Sequence, residues 1–170
     1  MTFPDSDSGL ARFNALDAAG AREELRACCA AGRWADAVAT GRPYADRSAL
    51  RARADAALAD LTWDDLTEAL AAHPRIGERA EGWSRQEQSG AAAAPDAVRD
   101  ELAEGNRAYE KRFGHVFLIC ASGLTATQML TALRARLRHD PATEREVVRR
   151  ELGAIAWLRL ERLLDDGPEG

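Results

Sequence analysis

The sequence predicts an all-α fold, a single-domain multi-helix bundle with one extended buried connection. Three observations carry that expectation. Apolar residues recur at helical spacing, most clearly Val98, Leu102, Tyr109 and Phe113, which stand four, seven and four positions apart. Cap-type residues punctuate the runs: Asp17, Pro95 and Thr125 stand where helices should begin, and Gly114 where one should end. Residues 116–121, VFLICA, read as a buried strand by composition, yet the chain shows no second strand to pair with them.

Taken in order, residues 1–9 are expected to be disordered and residues 10–16 to form a short first helix or turn. Asp17 then caps a helix that should end near Gly32. Residues 34–39 form another short helical piece, closed by Gly41-Arg42-Pro43, and residues 48–58, rich in Ala, Leu and Arg, have a strong helix composition. The acids Asp64 and Asp65 suit the first turn of the next helix, where the macrodipole favours negative charge. Pro95 suits the first position of the helix carrying Val98 to Phe113, and Asn106 and Tyr109 on that helix are assigned to packing. Thr125 and Gln128 have capping-box spacing, and Met129, Leu130, Leu133 and Leu137 follow on one side. The basic end of that helix, Arg134, Arg136, Arg138 and His139, complements its dipole. Asp140-Pro141 should break the chain, and Thr143 with Glu146 should cap a last helix striped by Val148, Leu152, Ile155 and Leu163. Residues 165–170 read as a polar tail, so the folded domain is expected over 10–164.

Composition narrows the classes. A chain of 170 residues is enough for one domain with a real core. A net charge of -5, with basic residues scattered among acids, argues against nucleic acid as a partner. No apolar run reaches the roughly 20 residues needed to cross a bilayer, and the acidic start MTFPDSDSGLARF lacks the basic and apolar regions of a secretory signal. Cys28, Cys29 and Cys120 are odd in number and lack metal spacing, so they read as reduced, buried thiols in a cytoplasmic protein. No cofactor is implied, because the chain has no Gly-rich nucleotide loop, no HExxH and no Cys/His cluster.

Residues 72–90, AHPRIGERAEGWSRQEQSG, are the stretch that looks like a site. Pro74 disfavours helix for the residue before it, so His73 should sit just past a helix end. An imidazole with an ordinary pKa near 6.5 can give or take a proton near neutrality, although for a single histidine a surface or core residue satisfied by backbone is the commoner explanation. Ser84 and Glu87 fit a capping box, which offers a structural explanation for both. Arg159 falls in the centre of the last apolar stripe, where a guanidinium must either snorkel to water or meet a buried anion.

The wording of the sequence goes further than its spacing. HPRIG at 73–77, SRQEQ at 84–88 and RFG followed by FLIC within 112–120 together resemble the OHCU decarboxylases, enzymes acting on 2-oxo-4-hydroxy-4-carboxy-5-ureidoimidazoline in urate breakdown. The likeness runs in the family's order from Phe13-Asn14 through Trp34 and Arg42-Pro43-Tyr44 to Leu158-Arg159-Leu160. It implies an all-α, cofactor-independent enzyme, a homodimer, that forms (S)-allantoin from a small ureidoimidazoline substrate. His73 and Glu87 would be catalytic, His73 transferring a proton and Glu87 orienting it or the ureido group. Pro74, Ser84, Glu87, Phe117, Ile119 and Arg159 would bind substrate, with Phe117 and Ile119 as a dry wall and Arg159 holding the polar ring by a forked hydrogen bond. Trp34 or Trp157 would serve the dimer. His115 and Val116 depart from the commoner FGFPF form, and the role of His115 stays open. Another ureide-pathway lyase or amidohydrolase, a non-catalytic helical interaction module and a helical transcriptional regulator are the competing classes.

Overall fold

The computed structural model describes residues 7–78 and 80–168. Ten helices and no strand occur among the described residues, so the all-α expectation holds. The chain divides into two compact units, Met1–Leu66 with Gly153–Gly170, and Thr67–Leu152.

The first unit contains α1 (Ser8–Ala15), α2 (Ala18–Cys28), α3 (Gly32–Thr40), α4 (Arg47–Ala59), the start of α5 (Trp63–Leu70) and the end of α10 (Pro141–Asp166). Asp7, Asp17 and Asp46 each accept a hydrogen bond from an amide in the first turn of α1, α2 and α4, which fixes where these helices begin. Of the residues expected to be disordered, Ser8 and Gly9 are helical and Asp7 caps them, and residues 1–6 lie outside the described residues. At the other end Asp165 and Asp166 belong to α10 and Asp165 pairs with Arg47 at 2.8 Å; residues 169–170 lie outside the described residues. The second helix stops at Cys28, short of Gly32, because Cys29 is extended with φ of -151°.

Two sequence features of this unit prove to be locks. The Asn14 amide donates to the Tyr44 carbonyl and accepts from the Tyr44 amide, both at 2.9 Å. Arg42 donates to the carbonyls of Phe13 and Leu16 at 2.8 Å, and so joins the end of α1 to the turn after α3. Trp34 is fully buried and its indole N–H donates to the Ala54 carbonyl at 3.1 Å, so it belongs to the core and not to an exposed dimer surface. Trp157 is half-buried, with the Arg51 guanidinium 5.1 Å from its ring centroid.

The second unit holds the rest of α5, α6 (Gly82–Glu87), α7 (Ser89–Ala92), α8 (Asp96–Phe113), α9 (Ala126–Arg136) and the start of α10. Leu102 and Tyr109 of α8 are in its core with Met129, Leu130 and Leu133 of α9, and Val98 and Phe113 pack against them, as the spacing predicts. Pro95 stands at the cap of α8, one residue before its first turn, and Gly114 ends it in the left-handed conformation at φ 80°. Thr125 and Gln128 form the expected capping box at α9.

Two expectations are corrected in this unit. The last helix starts at Pro141, and Asp140 caps it by accepting from the Thr143 amide at 2.7 Å, so Thr143 and Glu146 are already inside the helix. Pro141 thus begins a helix where it was expected to break one. That start places Glu144, in the first turn, wholly out of solvent. Arg136 is the second correction: it is buried and donates to Glu144 at 2.7 Å and to the Leu118 carbonyl at 2.6 Å, a core role in place of a solvated dipole charge. Tyr109 donates to the same carboxylate at 2.6 Å, and His139 Nδ1 lies 3.0 Å from its other oxygen. Cys28 and Cys29 are buried thiols, as expected, whereas Cys120 is partly exposed.

Burial works against the Glu144 carboxylate, but the hydrogen bonds from Arg136 and Tyr109 outweigh it and hold the pKa below the usual carboxylate range. A group lowered on folding adds stability that is present above its unfolded pKa and lost as pH falls through the folded one. Glu144→Gln should therefore lower unfolding stability at neutral pH by about 3–5 kcal/mol, since it leaves the Arg136 charge buried without its counterion. The deficit should shrink as the pH is lowered below about 4 in urea titrations, where the wild-type carboxylate also takes up its proton.

Candidate functional site

The His73 loop is built by the end of α5. Amides 71, 72 and 73 donate to the carbonyls of Thr67, Ala69 and Leu70, tightening the last turn, and Pro74 then stops it. His73 is thus just past a helix end, as expected, and it and Pro74 are partly exposed. Gly77 has φ of 89°, a conformation that favours glycine, and turns the chain toward α6.

Three side chains hold this loop. Asn106 of α8 donates to the Ile76 carbonyl at 2.7 Å, and Gln88, immediately after Glu87, accepts from the Gly77 amide at 3.1 Å. Arg75 pairs with Glu110 of α8 at 2.5 Å, and that carboxylate raises the guanidinium's pKa. Ile76 itself is buried in the cluster that also contains Ala91, Phe117 and Ile119.

The capping explanation of Ser84 and Glu87 does not hold. Helix α6 begins at Gly82 after Glu81, so Ser84 lies within its first turn and makes no cap, and Glu87 is the last helical residue with 6% exposure. Gly82, at φ 57°, lets the chain enter the helix earlier than the serine would have set.

Residues 115–121 form the expected extended connection, with Phe117, Leu118, Ile119 and Ala121 buried. The Leu118 carbonyl accepts from Arg136, and the Cys120 amide donates to Glu151 at 3.1 Å. The Arg136 guanidinium also sits 4.6 Å from the Phe117 ring centroid. His115 stacks on Phe113 at 6.1 Å and meets Tyr109 edge-on at 5.4 Å; burial lowers its pKa, and its packing is that of an aromatic side chain.

Within the second unit, then, the loop after His73, the residue after Glu87, and Phe117 with Ile119 are joined by hydrogen bonds or a shared core. Ser84 shares a helix with Glu87. Cavities of about 610 and 300 Å³ flank Gly77 and Glu78, and neither is lined by His73 or Glu87. Arg159 belongs to the first unit. It is 8% exposed, which excludes snorkelling, and it donates to the Ala27 carbonyl at 3.4 Å, the long end of hydrogen-bond range. Sequence reasoning missed Asn106 and Gln88 as loop partners. The available signal for Asn106 was an amide set among apolar residues on one face of α8.

The family model for OHCU decarboxylase matches residues 14–161. The chain belongs to that family. A 2-oxo-4-hydroxy-4-carboxy-5-ureidoimidazoline decarboxylase of Amia calva is 31% identical over 140 residues, covering 76% of this chain and 79% of that protein. The uric acid degradation bifunctional protein TTL of Arabidopsis thaliana is 35% identical over 153 residues, covering 85% of this chain; the chain spans about half of that protein, 47%. A crystal structure of OHCU decarboxylase in the presence of (S)-allantoin is 33% identical, has a TM-score of 0.75 and is 99% covered, against 85% of this chain. Family membership and local geometry thus meet in HPRIG and SRQEQ, whose residues are linked through Gly77 and Gln88.

Gly77→Ala tests the loop alone, because an added methyl group would meet nothing within 4 Å and the cost is purely that of the backbone. A loss of roughly 1–2 kcal/mol is expected. It should appear as faster hydrogen exchange at the loop amides and a thermal midpoint lower by a few degrees.

Proposed function

We propose that this protein decarboxylates 2-oxo-4-hydroxy-4-carboxy-5-ureidoimidazoline to (S)-allantoin, without a cofactor. The observation carrying this reading is the family match across residues 14–161, which includes the loop and helix bearing His73 and Glu87. The substrate's chemistry makes the reaction feasible with side chains alone. Cleavage of the bond to the carboxylate leaves an electron pair that enters the neighbouring ring C=N, whose nitrogen takes up a proton, so the substrate is its own electron sink. The former hydroxyl carbon becomes a carbonyl on losing its hydroxyl proton. The carbon bearing the ureido group takes up a proton on one face. A fixed donor gives one enantiomer, whereas decay in solution has no preferred face.

His73 is assigned the proton transfer at the substrate hydroxyl and the adjoining carbon. Glu87 orients the imidazole or accepts hydrogen bonds from the ureido group; its burial and freedom from a capping role support that assignment. Pro74 and Ser84 shape and contact the bound ring, Phe117 and Ile119 keep water from it, and their burial supports this part. Arg159 is assigned to substrate binding on the family likeness and on its burial in an apolar stripe. A homodimer in the cytoplasm completes the reading. No helix among the described residues is long and apolar enough to cross a membrane, and the oligomer is read directly by light scattering on the eluting protein.

A coupled assay with urate oxidase and hydroxyisourate hydrolase, followed by circular dichroism, should show optically active allantoin and CO2 release faster than in the uncatalysed decay. Racemic product at the background rate would overturn the reading. His73→Asn should reduce turnover about a hundredfold or more while the far-ultraviolet spectrum is unchanged. Arg159→Ala should act mainly through a higher KM, and an unchanged KM would remove Arg159 from substrate binding.

A further inference from the structure

We infer that Asn106 is a positioning residue for this reaction, holding the His73 imidazole in register with the substrate through the Ile76 carbonyl. The inference rests on the assignment of His73 to proton transfer. Asn106 is 5% exposed, and its amide nitrogen donates to the Ile76 carbonyl, thirty positions away in sequence, at 2.7 Å. Only the NH2 group can face a carbonyl, so the orientation of the amide is fixed. Its oxygen then points into a region closed to water and has no hydrogen-bond partner. A residue chosen for packing would not carry that cost, since leucine fills a similar volume with no polar atom to bury. The donor toward Ile76 is what asparagine adds.

The geometry makes that donor decisive for His73. Pro74 fixes one backbone angle next to the imidazole, and Ile76 lies two residues beyond it. The flanking residues are held more weakly: Arg75 pairs with Glu110 on the surface, where screening leaves little energy. Asn106 and Glu110 are one turn apart on α8, so a rigid 18-residue helix carries both contacts. The Gly77 amide meets Gln88, the residue that closes the helix of Glu87. Loss of the Asn106 donor frees the middle of a three-point hold, and an imidazole displaced by about 1 Å costs up to about a hundredfold in rate.

The test is a double-mutant cycle on the full-length protein. Asn106→Leu is expected to keep the helical spectrum and thermal midpoint near wild type, lower kcat by about ten- to a hundredfold and leave KM within about threefold. Hydrogen exchange should quicken at loop amides 76–78. In the His73→Asn background the same substitution should have no further effect on the residual rate, because Asn106 acts through the imidazole. Should Asn106→Leu fail to fold, Asn106→Ala supplies the same comparison. A kcat within twofold of wild type in a folded Asn106 variant would overturn the inference. So would losses that multiply with those of His73→Asn, the signature of a general structural role. Near-normal turnover in His73→Asn alone would instead bring down the proton-transfer assignment, and is told apart because it does not involve Asn106.

Discussion

The ion pair between Arg136 and Glu144 is the constraint on which the second unit depends. A carboxylate with no solvent exposure and a guanidinium almost as deeply buried can coexist only if each is paired and its remaining atoms are hydrogen-bonded. Glu144 meets that condition through Arg136, Tyr109 and His139. Arg136 turns Nη1 to the Leu118 carbonyl and its face to Phe117, while Nη2, which makes no hydrogen bond, lies 2.5 Å from the Glu144 carboxylate. The consequence is structural and local: an extended apolar segment is fastened among helices, with no strand beside it among the described residues.

That solves a problem which an all-α fold otherwise cannot. Buried backbone outside a helix has amides and carbonyls that need partners, and no strand among the described residues supplies them. The chain supplies side chains instead. Arg136 serves Leu118 and Glu151 serves Cys120 in the extended connection; Asn106 serves Ile76 and Gln88 serves Gly77 in the His73 loop. Both non-helical pieces assigned to the site are therefore held by polar residues on neighbouring helices, with their neighbouring apolar side chains in one core. Such a frame is stiffer than a free loop, and stiffness is what directed proton delivery requires.

Much of the fold was legible because helical periodicity and caps are local signals. Val98, Leu102, Tyr109 and Phe113 announced α8, Thr125 and Gln128 announced α9, and Gly114 marked a true stop. The two capping misreadings share one cause. Ser84 with Glu87 and Thr143 with Glu146 both have capping spacing, but in each case the helix began three residues earlier, behind Glu81 or Asp140. Spacing says which pair can cap, and competition from a neighbouring residue decides whether it does. Arg136 and Trp34 failed for a different reason: burial is set by tertiary packing, and neither residue's chain neighbours reveal it. The candidate site was legible mainly as wording. HPRIG and SRQEQ marked the place, while the contacts through Asn106 and Gln88 span distances in sequence that no motif encodes.

The displaced capping box bears on function through Glu87. Had α6 begun at Ser84, the carboxylate would have stabilised the helix N-terminus and needed no other reason to be there. It stands instead on the last residue of that helix, where the exposed carbonyl ends disfavour negative charge, and it is nearly removed from water. Local helix energetics oppose the residue twice over. Capping therefore does not account for an acid at this position. The Gly77 amide, bonded to the Gln88 side chain, ties the end of that carboxylate's helix to the loop bearing His73.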